Sequence, residues 1–397
     1  MDALLLLLDT CWLAAQLLIG AFLVCPVVSY VVHRFARCPV IQRKPGTEAD
    51  YAVILTVFGH VNGVSQAIES LLKMDYPNFH VYVVLDNCEG LDFDFAHEKV
   101  TLLRPPGVLA GNTKSHFYAI DRFIRRHDRL TIIDSDNLVH RQYLRALDAY
   151  FDDGFQAVQG VRKAKNMDTT LACLDAARDA YYHFYDGKLL FEVGSSATLA
   201  GSGMAFTVAL YRECLEKVVV EGAGFDKVLQ FEIVKRGHRI AFAPDAWVFD
   251  EKTAHSDQLV KQRSRWINTW FRYVKFGFKL LGRGLRRWDR NQLWFGFILL
   301  RPPLFIFLLL AALALSVNAV TSNVAGVMCW LAAFLLFGCG FFIAMHHANL
   351  PRSVYRALRS IPRFMFYQVV SLTKARKANQ ISVATKHTVI KHIDDMD

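Results

Sequence analysis

No two of the eight cysteines, Cys11, Cys25, Cys38, Cys88, Cys173, Cys214, Cys329 and Cys339, form a C-x-x-C pair, and none has a histidine at metal-ligand spacing. That absence excludes a zinc module and a disulfide framework, and it fits a reducing compartment in which the cysteines serve as packing residues. No internal repeat and no low-complexity tract occurs. Acidic residues are the scarcer charge, 36 against 46 Lys and Arg, leaving a net charge of +10. A basic balance calls for an anionic partner: nucleic acid, a lipid surface or a phosphorylated substrate. The chain is 53% hydrophobic and the apolar residues are unevenly spread, which favours a membrane.

Residues 10–32, TCWLAAQLLIGAFLVCPVVSYVV, contain no ionised group and have spanning length. The flank before them, MDALLLLLD, carries two aspartates and no Lys or Arg, whereas Arg34, Arg37, Arg43 and Lys44 follow. The positive-inside rule therefore places Met1 outside and residue 33 onward in the cytoplasm. A cleaved signal peptide would need a basic start and a shorter core, so a retained helix is expected. Two further spans are expected at 302–320 and 324–345, joined by the short TSN link, with a basic cytoplasmic tail behind them. The expected organisation is an N-terminal span and linker (1–49), a cytoplasmic catalytic domain (50–263), a motif and interface helix (264–290), two spans (291–347) and a basic interface helix and tail (348–397). The expected location is the bacterial inner membrane.

Between about 50 and 290, β-branched runs alternate with amphipathic stretches. YAVILTVF (51–58), HVYVVLDN (80–87) and RLTIIDSD (129–136) read as strands; GVSQAIESLLKMD (63–75) and KSHFYAIDRFIRRH (114–127) read as helices. A doubly wound α/β sheet follows, with ligands expected at the carboxyl ends of its strands. Asp86 and the pair Asp134 and Asp136 fall at such ends. Two carboxylates at i and i+2 suit a hard divalent cation, Mg2+ or Mn2+, that also carries phosphate oxygens. Taken alone, D-S-D is more often a solvated turn that helps cap a helix near Arg141.

QRSRW at 262–266 adds a second element. Arg265 can fork onto a pyrophosphate, with Gln262 beside it and Trp266 as a platform for a sugar. In order and in letters, residues 50–290 resemble the membrane-integrated family-two glycosyltransferases, the group of cellulose, chitin and hyaluronan synthases. The resemblance implies a GT-A-like, Rossmann-type nucleotide-sugar domain inserted between transmembrane helices, flanked by amphipathic interface helices. It implies that Asp136 binds the metal, with Asp134 near the nucleotide and sharing the cation. Asp86 resembles the aspartate that contacts the uridine, and Lys114 in GNTKSHFYAI the lysine near the diphosphate. Gly201, Ser202 and Gly203 of GSGMAF are similar to the loop bordering the acceptor.

In the same family the base belongs to an E-D pair before an R-G turn. Here GFDKVLQFEIVKRG keeps the aspartate as Asp226, replaces the glutamate by Phe225, and allows Asp226 to cap a helix over 227–236. The family's Y-N-E after the first strand is also changed, to TVFGHVNG, leaving Thr56 to help hold the base of the nucleotide. The implied reaction is an inverting, metal-dependent transfer from a UDP-sugar to a glycan or lipid-linked glycan. QRSRW in full favours a polysaccharide synthase, although three spans are few for a private pore, so a homo-oligomer or an export partner is expected to share one. Addition of one sugar to a lipid-linked acceptor and a degenerate regulatory subunit are the alternatives.

INTWFRYVKFGFKLLGRGLRRW (267–288) interleaves aromatic and basic residues as an interfacial amphipathic helix does, and 354–372 repeats the pattern. Such a stripe could bind nucleic acid, but the neighbouring spans assign it to the lipid bilayer. Arg301 is read as a residue snorkelling at the boundary rather than a cavity-lining charge, and His346 and His347 as interface packing.

Overall fold

The computed structural model describes residues 2–35, 48–220, 222–378 and 389–396. Arg37, Cys38, Arg43, Lys44 and most of the KARKANQISVATKH tail lie outside the described residues. Eight strands form one sheet: β1 (Tyr51–Phe58), β2 (Phe79–Asp86), β3 (Val100–Leu103), β4 (Arg129–Asp134), β5 (Leu138–Val139), β6 (Ala157–Ala164), β7 (Met204–Thr207) and β8 (Ile240–Asp250). Their order is β3-β2-β1-β4-β7-β6-β8-β5. The first four run parallel, as the alternation of strands and helices requires. Residues 81–85 of β2 and 51–55 of β1 are buried on both faces, which is why they read as unbroken apolar runs.

The sheet is mixed rather than uniformly parallel. β7 runs antiparallel to both β4 and β6, and β5 runs antiparallel to β8. The reversal begins at Gly203, whose φ of +66° lies in the left-handed region and whose missing side chain makes room for Val248, 2.9 Å from where a Cβ would stand. Register aligns the strand ends: Phe58 pairs with Asp86, and Thr56 with Asp134. Three carboxyl-terminal edges therefore form one row, and the helices Val64–Leu72, Asn112–Ile120 and Tyr143–Asp152 pack beside it.

Asp2–Phe35 is one helix of 34 residues and Val324–His347 another of 24, both long and apolar enough to cross a bilayer. The span expected at 302–320 is different. Leu304–Val320 has 17 residues, about 25 Å of helix against a hydrocarbon core of about 30 Å. It reaches spanning length only with Arg290–Leu300, from which it is bent by 74° across Arg301-Pro302-Pro303. Two prolines in succession, neither able to donate a helical hydrogen bond, account for the break. The two or three apolar helices are compatible with membrane integration. Arg301 is not at a lipid boundary: it is buried and ion-paired with Asp186, because a guanidinium at this depth needs a carboxylate more than it needs headgroups.

The amphipathic stretch 267–288 is divided. Ser256–Tyr273 carries QRSRW, and Lys275–Arg287 follows after a break at Val274. The second helix exposes Phe278 and Leu285 beside Lys279 and Arg286, an amphipathic surface. The stretch 354–372 is likewise two helices, Arg352–Ala357 and Ile361–Lys374. They bury Val354, Ala357 and Phe364 against Cys173, Leu174 and Leu259, and expose Phe366 and Val369. His347 stacks on Phe184 with centroids 4.6 Å apart, a packing contact as expected.

Candidate active site

The aligned ends of β1, β2 and β4 open onto one cavity of about 830 Å³. Thr56, Asp86, Asp134 and Asp136 line it from the sheet. Gly201 and Asp226 line it from the loops, and Gln262, Arg265 and Trp266 from the Ser256–Tyr273 helix. Nine residues separated by up to 210 positions in sequence therefore line one cavity.

Three expected residues do not. Lys114 is exposed on the Asn112–Ile120 helix, whose Asn112 and Ser115 face the cavity instead, since a helix turns successive side chains by about 100°. Ser202 is fully buried behind the wall: its hydroxyl accepts hydrogen bonds from the Asp134 backbone N–H at 3.0 Å and from the Asn137 amide at 2.7 Å. Gly203 lies at the entry of β7, its carbonyl taken by Gly160 and Gln159. Ser202 and Gly203 thus shape the D-S-D loop rather than touch an acceptor.

Asp86 is buried, and its two oxygens accept the backbone N–H groups of Leu109 at 2.8 Å and Ala110 at 2.9 Å. It fixes the 105–111 loop against the cavity while its remaining lone pairs stay available. Asp136 is buried, and its backbone carbonyl accepts the Lys165 ammonium at 2.6 Å. Burial pulls the Lys165 pKa down, opposed by Asp136 and Glu251. Gln262 Oε1 accepts the Thr253 hydroxyl at 3.0 Å, which leaves its NH2 for a ligand. Burial lowers the Arg265 pKa, so this guanidinium is partly stripped of water in a way that strengthens its pairing with an anion.

Asp226 does not cap its helix. Gly224 does, with φ of +99°, and Asp226 lies inside the first turn of Phe225–Lys235. A side chain at Gly224 would meet Thr269 Cγ2 at 2.6 Å, so glycine lets this helix start press against the helix bearing QRSRW. Asp226 Oδ2 is 2.9 Å from Lys227 Nζ, which also donates to the Leu199 carbonyl.

A further set of residues, some lining the cavity and some buried behind it, escaped sequence reading. Arg263 pairs with Asp175; Arg178 with Asp175 at 3.2 Å and with Asp179; Lys252 with Asp179 at 2.5 Å and Asp250 at 2.6 Å; Arg162 with Asp250. Burial works to raise the Asp179 pKa, but Arg178 and Lys252 overcome it and hold that carboxyl well below the usual range. Burial raises Asp175, opposed by Arg178. The Arg263 and Arg178 guanidiniums lie 4.0 and 4.4 Å from the Trp266 ring centroid, so the indole platform is already flanked by cations. A signal existed: Asp175, Arg178, Asp179 and Asp186 recur at three, four or seven residues in the otherwise apolar LACLDAARDAYYHFYDG, one charged face on a buried helix. That helix widens to a π-helix at His183–Leu189, a form often found at functional sites.

Among the described residues, no group of three or more His, Cys, Asp and Glu side chains gathers as a metal site. Asp134 and Asp136 remain as two carboxylates on one wall, the donor set suited to Mg2+ or Mn2+ when a substrate's phosphate oxygens and water complete the shell.

A mixed sheet that turns an aspartate pair from the end of β4 into a cleft beside apolar helices has the architecture of a GT-A-like glycosyltransferase. The model of the family described as glycosyltransferase like family 2 matches residues 49–269, more than half of the chain, and the chain belongs to that family. It is a glycosyltransferase. Its fold is similar to that of the mannosyltransferase PcManGT from Pyrobaculum calidifontis, solved in complex with GDP-Man and Mn2+, at 15% identity over 91% of this chain and 98% of that one, with a TM-score of 0.57. TarS 1–349 of S. aureus aligns at 15% identity over 83% and 90% of the two chains with a TM-score of 0.41. No curated protein sequence matches.

Proposed function

We propose that this enzyme transfers a sugar from a UDP-sugar to an acceptor hydroxyl with inversion at the anomeric carbon, at the cytoplasmic face of the bilayer. The observation that carries the reading is the one cavity that Asp134, Asp136, Asp226, Gln262, Arg265 and Trp266 line together. Asp134 and Asp136 would hold Mg2+ or Mn2+, which supplies positive charge to the departing diphosphate. Asp226 accepts the proton of the attacking hydroxyl, Arg265 and Gln262 hold the diphosphate, and Trp266 packs against the acceptor sugar. Thr56 and Asp86 border the nucleoside. Lys227, 2.9 Å from Asp226, orients it until the acceptor arrives. The catalytic unit is residues 50–263, with 264–290 and the helices of 352–374 at the membrane surface.

As acceptor we propose a growing glycan, supported by the intact QRSRW. A second reading, transfer to a lipid-linked acceptor, is favoured by a different observation: the cavity continues into an apolar limb walled by membrane helices. Purified protein incubated with a panel of UDP-sugars and GDP-sugars in Mn2+, assayed for nucleotide release, tests the donor. Release with one UDP-sugar supports the proposal, and release confined to GDP-sugars refutes the UDP assignment. Product sizing over time separates the acceptors: lengthening chains mark a polymerase, and a constant single-sugar adduct marks the second reading.

A further inference from the structure

The π-helix His183–Leu189 brings into the cavity a group that the proposed reaction leaves unused. His183 opens that helix and lines the cavity together with Asp179, Tyr182 and Asp186, residues whose spacing of three, four and seven puts them on one helical face. The imidazole is half-buried and makes no hydrogen bond among the described residues. Neither of its nitrogens is closed off from solvent, whereas the Arg178 and Arg263 Nε atoms are.

The surroundings of His183 fix where it stands. One turn earlier, Asp179 pairs with Lys252 and Arg178, and Arg178 lies 4.4 Å from the Trp266 ring centroid. To one side, Arg162 is within electrostatic reach of both His183 and Asp134, and it donates to the Ala200 carbonyl at 2.6 Å. On the other, the Asp186 carbonyl accepts the Thr198 N–H at 2.9 Å, and the neighbouring Leu199 carbonyl accepts Lys227, the partner of Asp226. His183 therefore borders the space between the D-S-D loop, Asp226 and Trp266, where in the proposed transfer one glycosidic bond breaks and another forms.

The charged groups around His183 are paired with one another. Burial lowers its own pKa to about 4, with Asp179 opposing and Lys252 and Arg162 adding to the fall. The ring is uncharged near neutral pH, so it offers one N–H donor and one lone pair, and it is a poor store for the proton that Asp226 takes. A hydroxyl both donates and accepts, and one that enters a water-poor cleft without a partner is costly.

We infer that His183 binds a sugar hydroxyl beside the reacting bond, on the transferred sugar or on the acceptor sugar. This inference rests on the reading of the cavity as the site of sugar transfer.

Full-length protein in dodecyl maltoside is tested with UDP and with whichever nucleotide sugar of the donor panel releases its nucleotide. His183→Phe keeps a ring and removes both polar atoms; His183→Asn keeps a donor and an acceptor. His183→Phe is expected to lower kcat/KM about tenfold, His183→Asn to recover part of it, and UDP affinity in Mn2+, read by calorimetry, to stay within about twofold in both. Nucleotide-sugar affinity that falls while UDP affinity holds assigns the hydroxyl to the transferred sugar; unchanged nucleotide-sugar affinity with slower transfer assigns it to the acceptor. An unchanged kcat/KM in His183→Phe overturns the inference, as does a loss of UDP affinity as large as the loss of transfer, which would mark a structural role. Carbethoxylation of the unmodified protein, mapped by mass spectrometry, needs no variant. The nucleotide sugar or the isolated product is expected to slow modification of His183 several-fold more than UDP does, without shielding the exposed His97. Equal rates under all conditions overturn the inference. Failure of the unmodified protein to release nucleotide from any nucleotide sugar ends the transfer reading and the inference with it, whereas turnover indifferent to His183 ends the inference alone.

Discussion

Ser202 holds Asp134 in place: its buried hydroxyl accepts the Asp134 backbone N–H at 3.0 Å, and the same oxygen takes the Asn137 amide. The first and last residues of the D-S-D-N loop are thus tied to one atom at the entry of the neighbouring strand β7. Ser202→Ala removes this acceptor from the part-buried Asp134 N–H and leaves the buried Asn137 amide without it, the latter at a cost of about 1–3 kcal/mol. The expected outcome is a folded enzyme whose Mn2+ half-saturation rises at least severalfold, measured by metal titration of nucleotide release. An unchanged metal dependence would show that the loop does not need this anchor.

Asp226→Asn preserves the shape of the first helical turn and removes the proton acceptor. Turnover is expected to fall by about 10²–10⁴-fold. UDP binding in Mn2+, followed by calorimetry, stays intact, because Asp226 is assigned to the acceptor hydroxyl rather than to the nucleotide. Retention of near-normal turnover would remove Asp226 from the chemistry.

Residues 389–396 lie across the edge of the sheet. Ile393 is buried with Leu138 and Phe249, the Val389 carbonyl accepts Lys165 at 3.3 Å, and Lys165 in turn holds the Asp136 carbonyl. Asp394, about half exposed, pairs with Lys73 and Arg141. Ile393→Ala removes the buried anchor, with a cost of about 2–5 kcal/mol if the site cannot collapse. Release of the segment by limited proteolysis and a several-fold loss of activity are expected. Asp394→Ala, which removes only exposed pairs, changes neither by much. Equal effects from the two substitutions would contradict this division.

His116 is fully buried, bonded through Nδ1 to the Tyr211 hydroxyl at 2.6 Å and set against Phe225, and burial depresses its pKa to about 3. The unfolded histidine titrates near 6.5. The unfolded state therefore binds the extra proton between these values, so this residue's contribution to stability is complete above about pH 6.5 and falls as pH drops toward 3, by about 1.4 kcal/mol per unit. In His116→Phe the fall of melting temperature between pH 7 and pH 5 is expected to be shallower than in the unmodified protein. Parallel pH profiles would show that His116 does not titrate on unfolding.

The sequence made the parallel half of the sheet legible because β1, β2 and β4 are largely buried apolar runs, and β2 and β4 end on aspartates that mark the chemical edge. D-S-D and QRSRW could be read because the two together, in that order along the chain, have few shared purposes, whereas each alone has a commonplace one. β7 could not be read as reversed, since strand direction is set by which partners are free and four residues of MAFT carry no sign of it. Ser202 was taken for an acceptor contact because a loop pattern does not tell which side chain faces the cleft. Lys114 failed for the same reason, one turn of a helix having exchanged it for Asn112 and Ser115. Arg301 and the Asp175–Arg263 cluster depend on contacts between residues about 90 to 115 positions apart, where composition suggests charge but not its partner.

The central claim is that Asp134 and Asp136 grip a divalent cation together with a nucleotide diphosphate at the end of β4. Anomalous scattering from Mn2+ in crystals grown with UDP tests it most directly. The account predicts one strong peak between these two carboxylates, bridged to the diphosphate and lost in Asp136→Asn. UDP bound elsewhere, or a Mn2+ peak that avoids both aspartates, would contradict it.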